Sequence, residues 1–371
     1  MNTIEDLRAA LDYPDPPAKP DTRAIIARGR RRRVVRRAAV GGGLAVVVAG
    51  VVAVNALGGT PAPPPVLVGS APDPALVTAS TTAVAEAPER FDPLTRTLHV
   101  GWIPAGLTGQ GAEISVTQQS FGGRDKEFAD GGRDYGLSVM LLAKGRPPTD
   151  FMGGLGMPRE SVESETDDVN GKPAVCLSDP EVRGSCAALQ WEYAPGAWAR
   201  VGYSGSAGPT PEAAAAVARR VAESVRFTAG EPVRLPFTIG GSTAELPAAR
   251  TQVSIFAPAY QQEGGEVWNA DLCLAPSPRD VERSVGDTRQ LCLGASKAVG
   301  TGARLPDDPE PNATVDGHDA RIVDMQLIVW NVSGIRVDTT YSDWDVNPRY
   351  AYEDLRVAED PADPADWPVS R

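Results

Sequence analysis

The sequence predicts an α+β protein made of two tandem related modules, each a curved antiparallel sheet with a C-terminal helix, preceded by one N-terminal transmembrane helix. Three observations lead to this fold class. Residues 38–57 carry no charge, short runs of alternating apolar and polar residues recur from residue 91 onward, and the two halves of that region repeat the same landmarks in the same order. The predicted protein is thus anchored near its N-terminus and folded beyond residue 90.

The predicted membrane span covers residues 38–57, which are mostly Ala, Val, Gly and Leu. A helix of this length rises about 30 Å, the thickness of the hydrocarbon core of a bilayer. Residues 1–37 contain ten Lys or Arg and five Asp or Glu, and seven of the arginines lie between Arg28 and Arg37. Because arginines beside a span resist translocation, we expect a single pass through the plasma membrane with a cytoplasmic N-terminus and an extracytoplasmic C-terminus.

The arginine cluster also predicts contact with anionic lipid head groups rather than with nucleic acid. The alternative for the apolar run is a secretory signal peptide cleaved after Ala56, although the 37 residues that precede the run are long for a signal peptide. Residues 58–90 are rich in Pro, Ala and Thr, and their Pro-rich run at 61–65 favours extended geometry. They predict a stalk between the membrane and the folded region.

The folded region is predicted to be a duplication, with module 1 at residues 91–229 and module 2 at residues 230–357. Each module has a turn followed by a Trp, a Gly and a Tyr, and the Gly precedes the Tyr by seven residues in both. The landmarks are Val169-Asn170-Gly171, Trp191, Gly196 and Tyr203 in module 1, and Val315-Asp316-Gly317, Trp330, Gly334 and Tyr341 in module 2. We therefore expect Trp191 to superpose on Trp330 and Tyr203 on Tyr341.

One helix is predicted in each module. In module 1, Thr210 supplies an N-cap, Pro211 suits the first turn, and valines at every fourth position from Val217 to Val225 form one apolar stripe. Module 2 has a shorter counterpart near residues 350–353. The acidic tail, residues 358–371, is rich in Asp and Pro, and this composition predicts disorder.

Four cysteines follow the predicted span, and an even number of cysteines in an oxidising compartment favours disulfides. We predict the pairs Cys176–Cys186 and Cys273–Cys292. The members of each pair lie in two strand-like runs joined by a polar segment, and such a hairpin brings their Cα atoms within bonding range. Four free thiols, or bonds between the modules, are the alternatives.

Module 1 resembles the C-terminal domain of the periplasmic sigma-E regulatory proteins of the MucB/RseB family and the outer domains of membrane-bound anti-sigma factors. The matching stretches are residues 102–107 (WIPAGL), 134–139 (DYGLSV), 169–171 (VNG) and 222–227 (AESVRF). The overall layout also resembles that of many actinobacterial single-pass membrane proteins. The resemblance covers residues 96–228 and implies an extracytoplasmic domain that binds a partner protein or an envelope lipid. The His-x-x-x-Cys-x-x-Cys zinc motif of many cytoplasmic anti-sigma domains does not occur in residues 1–37.

The sequence contains no recognisable catalytic, metal or cofactor motif. Its two histidines, His99 and His318, fall at non-equivalent positions in the modules, and neither a Gly-x-Ser-x-Gly nor a phosphate-loop motif occurs. Five tryptophans could line a hydrophobic groove, but packing in the core is the favoured interpretation; they are Trp102, Trp191, Trp198, Trp268 and Trp330. We therefore expect a non-enzymatic protein without a cofactor.

The predicted function is sensing or protein binding on the outer side of the membrane, and the resemblance implies a link to envelope-stress regulation. The expected partner is an envelope protein or lipid. The alternative is a structural or scaffolding component of the cell envelope that has no signalling role.

Overall fold

The computed structural model describes residues 69–72, 86–125, 136–146, 162–178, 186–203, 210–256, 266–281, 290–299, 308–341 and 348–370. The predicted cytoplasmic segment, residues 1–37, and the predicted span, residues 38–57, lie outside these ranges. Within them, no helix has both the length and the apolar character needed to cross a membrane.

The described chain is mostly β-structure. Strand β1 (Gly69–Ser70) precedes module 1. The strands of module 1 are β2 (Thr95–Val100), β3 (Ile103–Pro104), β4 (Leu107–Ser115), β5 (Gln118–Asp125), β6 (Leu137–Leu142), β7 (Val162–Val169), β8 (Lys172–Ser178), β9 (Ala188–Ala194) and β10 (Ala197–Tyr203), followed by helix α1 (Pro211–Ser224) and by β11 (Val225–Pro232), which extends into module 2. Module 2 contains β12 (Phe237–Ile239), β13 (Ala248–Phe256), β14 (Glu266–Leu274), β15 (Leu291–Ala298), β16 (Ala313–Val315), β17 (His318–Val323), β18 (Gln326–Val332) and β19 (Ile335–Tyr341), then helix α2 (Pro348–Asp354) and β20 (Leu355–Val357). Two 3₁₀ turns, Thr243–Glu245 and Pro364–Asp366, complete the described elements.

One antiparallel sheet of fourteen strands joins the two halves of the chain. Its first half has the order β4-β5-β6-β10-β9-β8-β7, and its second half has the corresponding order β13-β14-β15-β19-β18-β17-β16. The halves meet where β4 pairs with β13, from Arg250 opposite Ser115 to Phe256 opposite Gly109. The α+β prediction with one sheet per module therefore holds only in part, because the described protein is one continuous sheet with a few short helices.

The last hairpin of each half has the same register. In β9–β10, Ala194 pairs with Ala197 and Trp191 with Ala199, and a bulge lies between these pairs. In β18–β19, Val332 pairs with Ile335 and Val329 with Val337, again with a bulge between them. Corresponding residues are therefore 138 positions apart in both strands, from 194 to 332 and from 199 to 337.

This register changes one of the two expected superpositions. Tyr203 corresponds to Tyr341, as expected, but Trp191 corresponds to Val329 rather than to Trp330. Because successive side chains of a strand point to opposite faces, a difference of one residue reverses the face. Trp191 and Val329 both belong to the main core, whereas Trp330 packs with Ile328 in a separate cluster.

The main core lies between one face of the sheet and the two helices. The expected α1 is present, and the hydroxyl of its N-cap Thr210 accepts a hydrogen bond from the Ala213 N–H at 3.3 Å. Val217 and Val221 of α1 are buried in the main core together with Trp191. The apolar stripe predicted from the valine spacing is therefore the surface that packs on the sheet. The shorter helix expected in module 2 is α2.

The acidic tail is folded, contrary to the prediction of disorder. Trp367 is 1% exposed, and its ring packs edge-on against Trp268 with the ring centroids 4.9 Å apart. Its indole N–H donates a hydrogen bond to the carbonyl of Pro361 at 3.0 Å, and the Ser370 hydroxyl donates to the carbonyl of Val233 at 2.7 Å. The Asp and Pro content predicted disorder, but the packing of Trp367 and the hydrogen bond from Ser370 to Val233 hold the tail against the core.

Part of the predicted stalk is also ordered. Gly69 and Ser70 form β1, which pairs with β3, and a Cβ on Gly69 would lie 2.3 Å from the ring of Trp102. Arg220 of α1 also contacts the Trp102 ring, with its guanidinium carbon 4.4 Å from the ring centroid. Residues 58–68 and 73–85 of the predicted stalk lie outside the described ranges.

Candidate functional site

The face of the sheet that does not belong to the main core, which we call the second face, is mostly polar. Directly opposed residues of an antiparallel sheet share a face, so the pairing defines its rows. One row runs from Glu113 of β4 to Gln252 of β13, Asp271 of β14, Gly294 of β15 and Asp338 of β19. The second face therefore continues without interruption across the junction of the two halves.

A groove of about 220 Å³ lies on the second face at the β4–β13 junction, and strands β4, β5, β6 and β13 line it. Its floor contains two glycines of β4. A Cβ on Gly109 would lie 2.9 Å from Cδ1 of Phe256, and a Cβ on Gly111 would lie 3.1 Å from Oγ of Ser254. Because these glycines have no side chains, the neighbouring side chains of β13 can lie close against the backbone of β4.

One end of the groove is aromatic and cationic. The guanidinium carbon of Arg124 lies 5.7 Å from the centroid of the Phe256 ring, a distance that permits a cation–π interaction. Arg124 is exposed, and its side chain makes no hydrogen bond or ion pair with the part of the chain that the structure describes. Its guanidinium N–H groups are thus directed to solvent or to a ligand.

The other end of the groove is rich in hydrogen-bonding side chains. Glu113, Gln118, Ser120 and Gln252 line it, and their side chains form no hydrogen bonds to other described residues. Some polar side chains elsewhere on the second face are paired, as Arg200 is with Gln190 at 2.8 Å. Carboxylate, amide and hydroxyl groups without protein partners are able to bind a polar ligand.

A pair of carboxyl groups lies on the same face beside the groove. A Cβ on Gly294 would lie 2.7 Å from Oδ1 of Asp271 and 2.9 Å from Oδ2 of Asp338, so both carboxyls occupy the space above this glycine. The Arg336 Nε lies 3.7 Å from Oδ1 of Asp338. These two aspartates come from strands on opposite sides of β15, and only the sheet brings them together.

Burial raises the pKa of both carboxyl groups. Burial, and then the charge of Asp338, raises the pKa of Asp271 from 3.8 to about 7, although Arg250 and Arg336 oppose the shift. Burial also raises the pKa of Asp338 against the charge of Arg336. Two carboxylates that share one site cannot both ionise readily, so the pair titrates as a unit.

Both disulfides are formed in the pairing expected from the sequence, Cys176–Cys186 and Cys273–Cys292. Cys273 and Cys292 lie directly opposite each other in β14 and β15, and Cys176 of β8 is joined to the residue two positions before β9. Disulfides persist in oxidising compartments, so they indicate that the described domain is extracytoplasmic.

The other side chains considered from the sequence do not form a site. His99 lies in β2 and His318 begins β17, in different sheets. Within the described residues, no group of three or more His, Cys, Asp or Glu side chains is arranged to hold a metal ion. Trp191, Trp268 and Trp330 are buried, and Trp102 and Trp198 are half-buried.

Sequence reasoning missed the groove and the carboxyl pair. A usable signal exists in β4, where Gly109, Gly111 and Glu113 alternate with residues of the opposite face and place no apolar side chain on the second face. No comparable local signal exists for Asp271 and Asp338, because each is a single acid in an otherwise ordinary strand. Comparison with known proteins found no matching family model, no similar curated protein and no similar solved structure.

Proposed function

We propose that this chain is a single-pass membrane protein whose extracytoplasmic domain is a non-enzymatic binding or sensing module, with its ligand in the groove at the β4–β13 junction. The observation that carries the proposal is the set of groove side chains that have no partner among the described residues, above a floor of glycine backbone. A site of this kind is suited to recognition, because its polar groups can bind a ligand without first breaking internal hydrogen bonds.

Four further observations support the proposal. The two disulfides suit an oxidising compartment, and the uncharged run at residues 38–57 beside the arginine cluster suits an anchor with its N-terminus inside. The matching strand orders of the two halves support an origin by duplication. Duplication places the groove on the pseudo-symmetric junction, where the two modules contribute different side chains to one site. The resemblance of residues 96–228 to envelope-stress regulators favours a role in sensing.

The proposal is tested with the full chain in lipid nanodiscs. Oligosaccharide, peptide and lipid fractions of a bacterial envelope are added separately, and the melting temperature and the amide exchange of β4 and β13 are measured. We expect one fraction to raise the melting temperature and to protect these strands, because a ligand that binds only the native state stabilises it.

Two matched variants locate the effect. Ser254→Trp places an indole over Gly111 and fills the groove, whereas Gln326→Trp places one on the second face at β18, far along the sheet order. The shift should disappear in Ser254→Trp and persist in Gln326→Trp. A shift that survives in Ser254→Trp, or no shift with any fraction, would contradict the proposal and favour a scaffolding role.

A further inference from the structure

The groove carries different polar groups at its two ends, which are separated along the strand direction. Arg124 is paired with Gly109 at one end, and Glu113 is paired with Ser120 of β5 and with Gln252 of β13 at the other. Glu113 lies four positions after Gly109 along β4, and at about 3.3 Å per residue the two ends are about 13 Å apart. One end of a bound ligand therefore meets a guanidinium group, and the other end meets a carboxylate and amides.

The groups at the Glu113 end are suited to neighbouring hydroxyl groups. A carboxylate accepts through two oxygens, and the side-chain amide of Gln252 both donates and accepts. Planar groups of this kind bind two adjacent hydroxyls of a sugar ring at once. Ser120 and Ser254 add single hydroxyls to the lining, and Ser254 lies close against the backbone of Gly111.

The Arg124 end is suited to a carboxylate. A guanidinium group presents parallel N–H donors that match the two oxygens of a carboxylate, and the guanidinium of Arg124 lies near the Phe256 ring at this end of the groove. Glu113 at the other end disfavours a second negative charge there. Charge complementarity therefore selects a ligand with one acidic end and one neutral, hydroxyl-rich end.

Two other ligand classes fit this groove less well. An acyl chain could contact Phe256 and Met140, but it would leave Arg124, Glu113 and the amide of Gln252 without hydrogen-bonding partners. An extended peptide binds a sheet through backbone hydrogen bonds at an edge strand. The groove instead lies on the face of central strands, whose backbone groups pair within the sheet.

We infer that the groove binds a short segment of an acidic oligosaccharide, with its carboxylate on Arg124 and the hydroxyls of a neutral ring on Glu113 and Gln252. This assignment rests on the proposed function, since it names the ligand class of the same groove. It goes beyond that function because an envelope protein or lipid was the partner expected from the sequence.

The test uses calorimetric titration of the full chain in nanodiscs with four probes. They are a trisaccharide ending in a uronic acid, the same trisaccharide with its carboxyl reduced to an alcohol, a tetrapeptide and a medium-chain fatty acid. We expect the acidic trisaccharide to bind most tightly. Arg124→Gln should weaken the binding of the acidic trisaccharide by about 10- to 100-fold, the effect of losing a charged hydrogen bond. The two trisaccharides should then bind this variant with equal affinity.

Glu113→Gln and Arg321→Gln complete the experiment. Glu113→Gln should weaken the binding of both trisaccharides. Arg321→Gln is the control: it removes an arginine of β17 on the same face, far from the groove in the strand order, and should leave both affinities unchanged. Equal binding of the two sugars by the unchanged chain, no loss in Arg124→Gln, or no sugar binding up to about 10 mM would overturn the inference. Binding of the peptide or fatty acid that Ser254→Trp abolishes would also overturn it, while leaving the proposed function intact.

Discussion

Gly294 lies between two carboxyl groups that no local pattern connects. Any larger residue would place its Cβ within 3 Å of Asp271 and Asp338, so the glycine lets both acids share one small space. The raised pKa of Asp271, about 7, follows from burial first and from this neighbour second. The pair therefore changes charge within the pH range that an extracytoplasmic domain encounters.

The carboxyl pair should make stability depend on pH. The folded pKa of Asp271 lies above the unfolded value of 3.8, so the folded state binds more protons, and stability should fall as pH rises from about 4 to about 7 and level off above. Asp271→Asn removes the ionisable group. Its free energy of unfolding relative to the unchanged chain should therefore rise across this range, by at most about 1.4 kcal/mol per pH unit.

Urea titrations of both proteins at several pH values measure this difference. Asp319→Asn is the matched control, because Asp319 is an exposed acid in β17 and lies outside the carboxyl pair. A difference between Asp271→Asn and the unchanged chain that stays constant from pH 4 to pH 8 would refute the coupling.

At the scale of elements, the pairing of β4 with β13 decides the architecture. Each half alone would have β4 or β13 as an exposed edge strand of nine residues, and such edges tend to pair with other chains. Joining them covers both edges and creates the groove at the same place. The sequence predicted an antiparallel sheet in each half but not this junction, because an alternating pattern does not specify which strand lies beside it.

The C-terminal segment is the second element whose structure depends on tertiary packing. Trp367→Ala would leave a cavity beside Trp268, and we expect a loss of about 3–5 kcal/mol in the free energy of unfolding. Val369→Ala is the control, because Val369 is 43% exposed and should cost little. Denaturant titration compares the two; a loss in Trp367→Ala no larger than in the control would mean that the tail does not support the core.

At the scale of the whole molecule, the charge is divided along the chain. The net charge is −12, and residues 1–37 contribute ten positive and five negative side chains, so the remaining residues carry −17. This asymmetry is consistent with the proposed topology, in which the basic residues would lie beside the cytoplasmic leaflet and the acidic domain on the outer side.

Reporter fusions test this topology directly. A reporter that works only outside the membrane should be active when fused after residue 90 and inactive when fused at the N-terminus, because the arginine cluster holds that end inside. The reverse pattern would disprove the orientation. Release of the processed domain into the medium would instead support cleavage after Ala56.

The sequence by itself determined features that depend on neighbouring residues. These are the capped helix α1, the strands with their alternating pattern, the two hairpin disulfides and the correspondence of Tyr203 with Tyr341. Capping, periodicity and short loops act over a few residues, so a linear pattern is enough to predict them.

Only the tertiary structure decided the features that depend on distant strands. The continuous sheet, the groove, the carboxyl pair above Gly294 and the packing of Trp367 each unite residues from elements far apart in the chain. The face on which Trp330 lies was also decided by the tertiary structure. The register of the β18–β19 hairpin places Trp330 on the face opposite to the expected one. Many strands have similar local patterns, so the packing of the whole core, rather than the sequence of one strand, determines which strands pair.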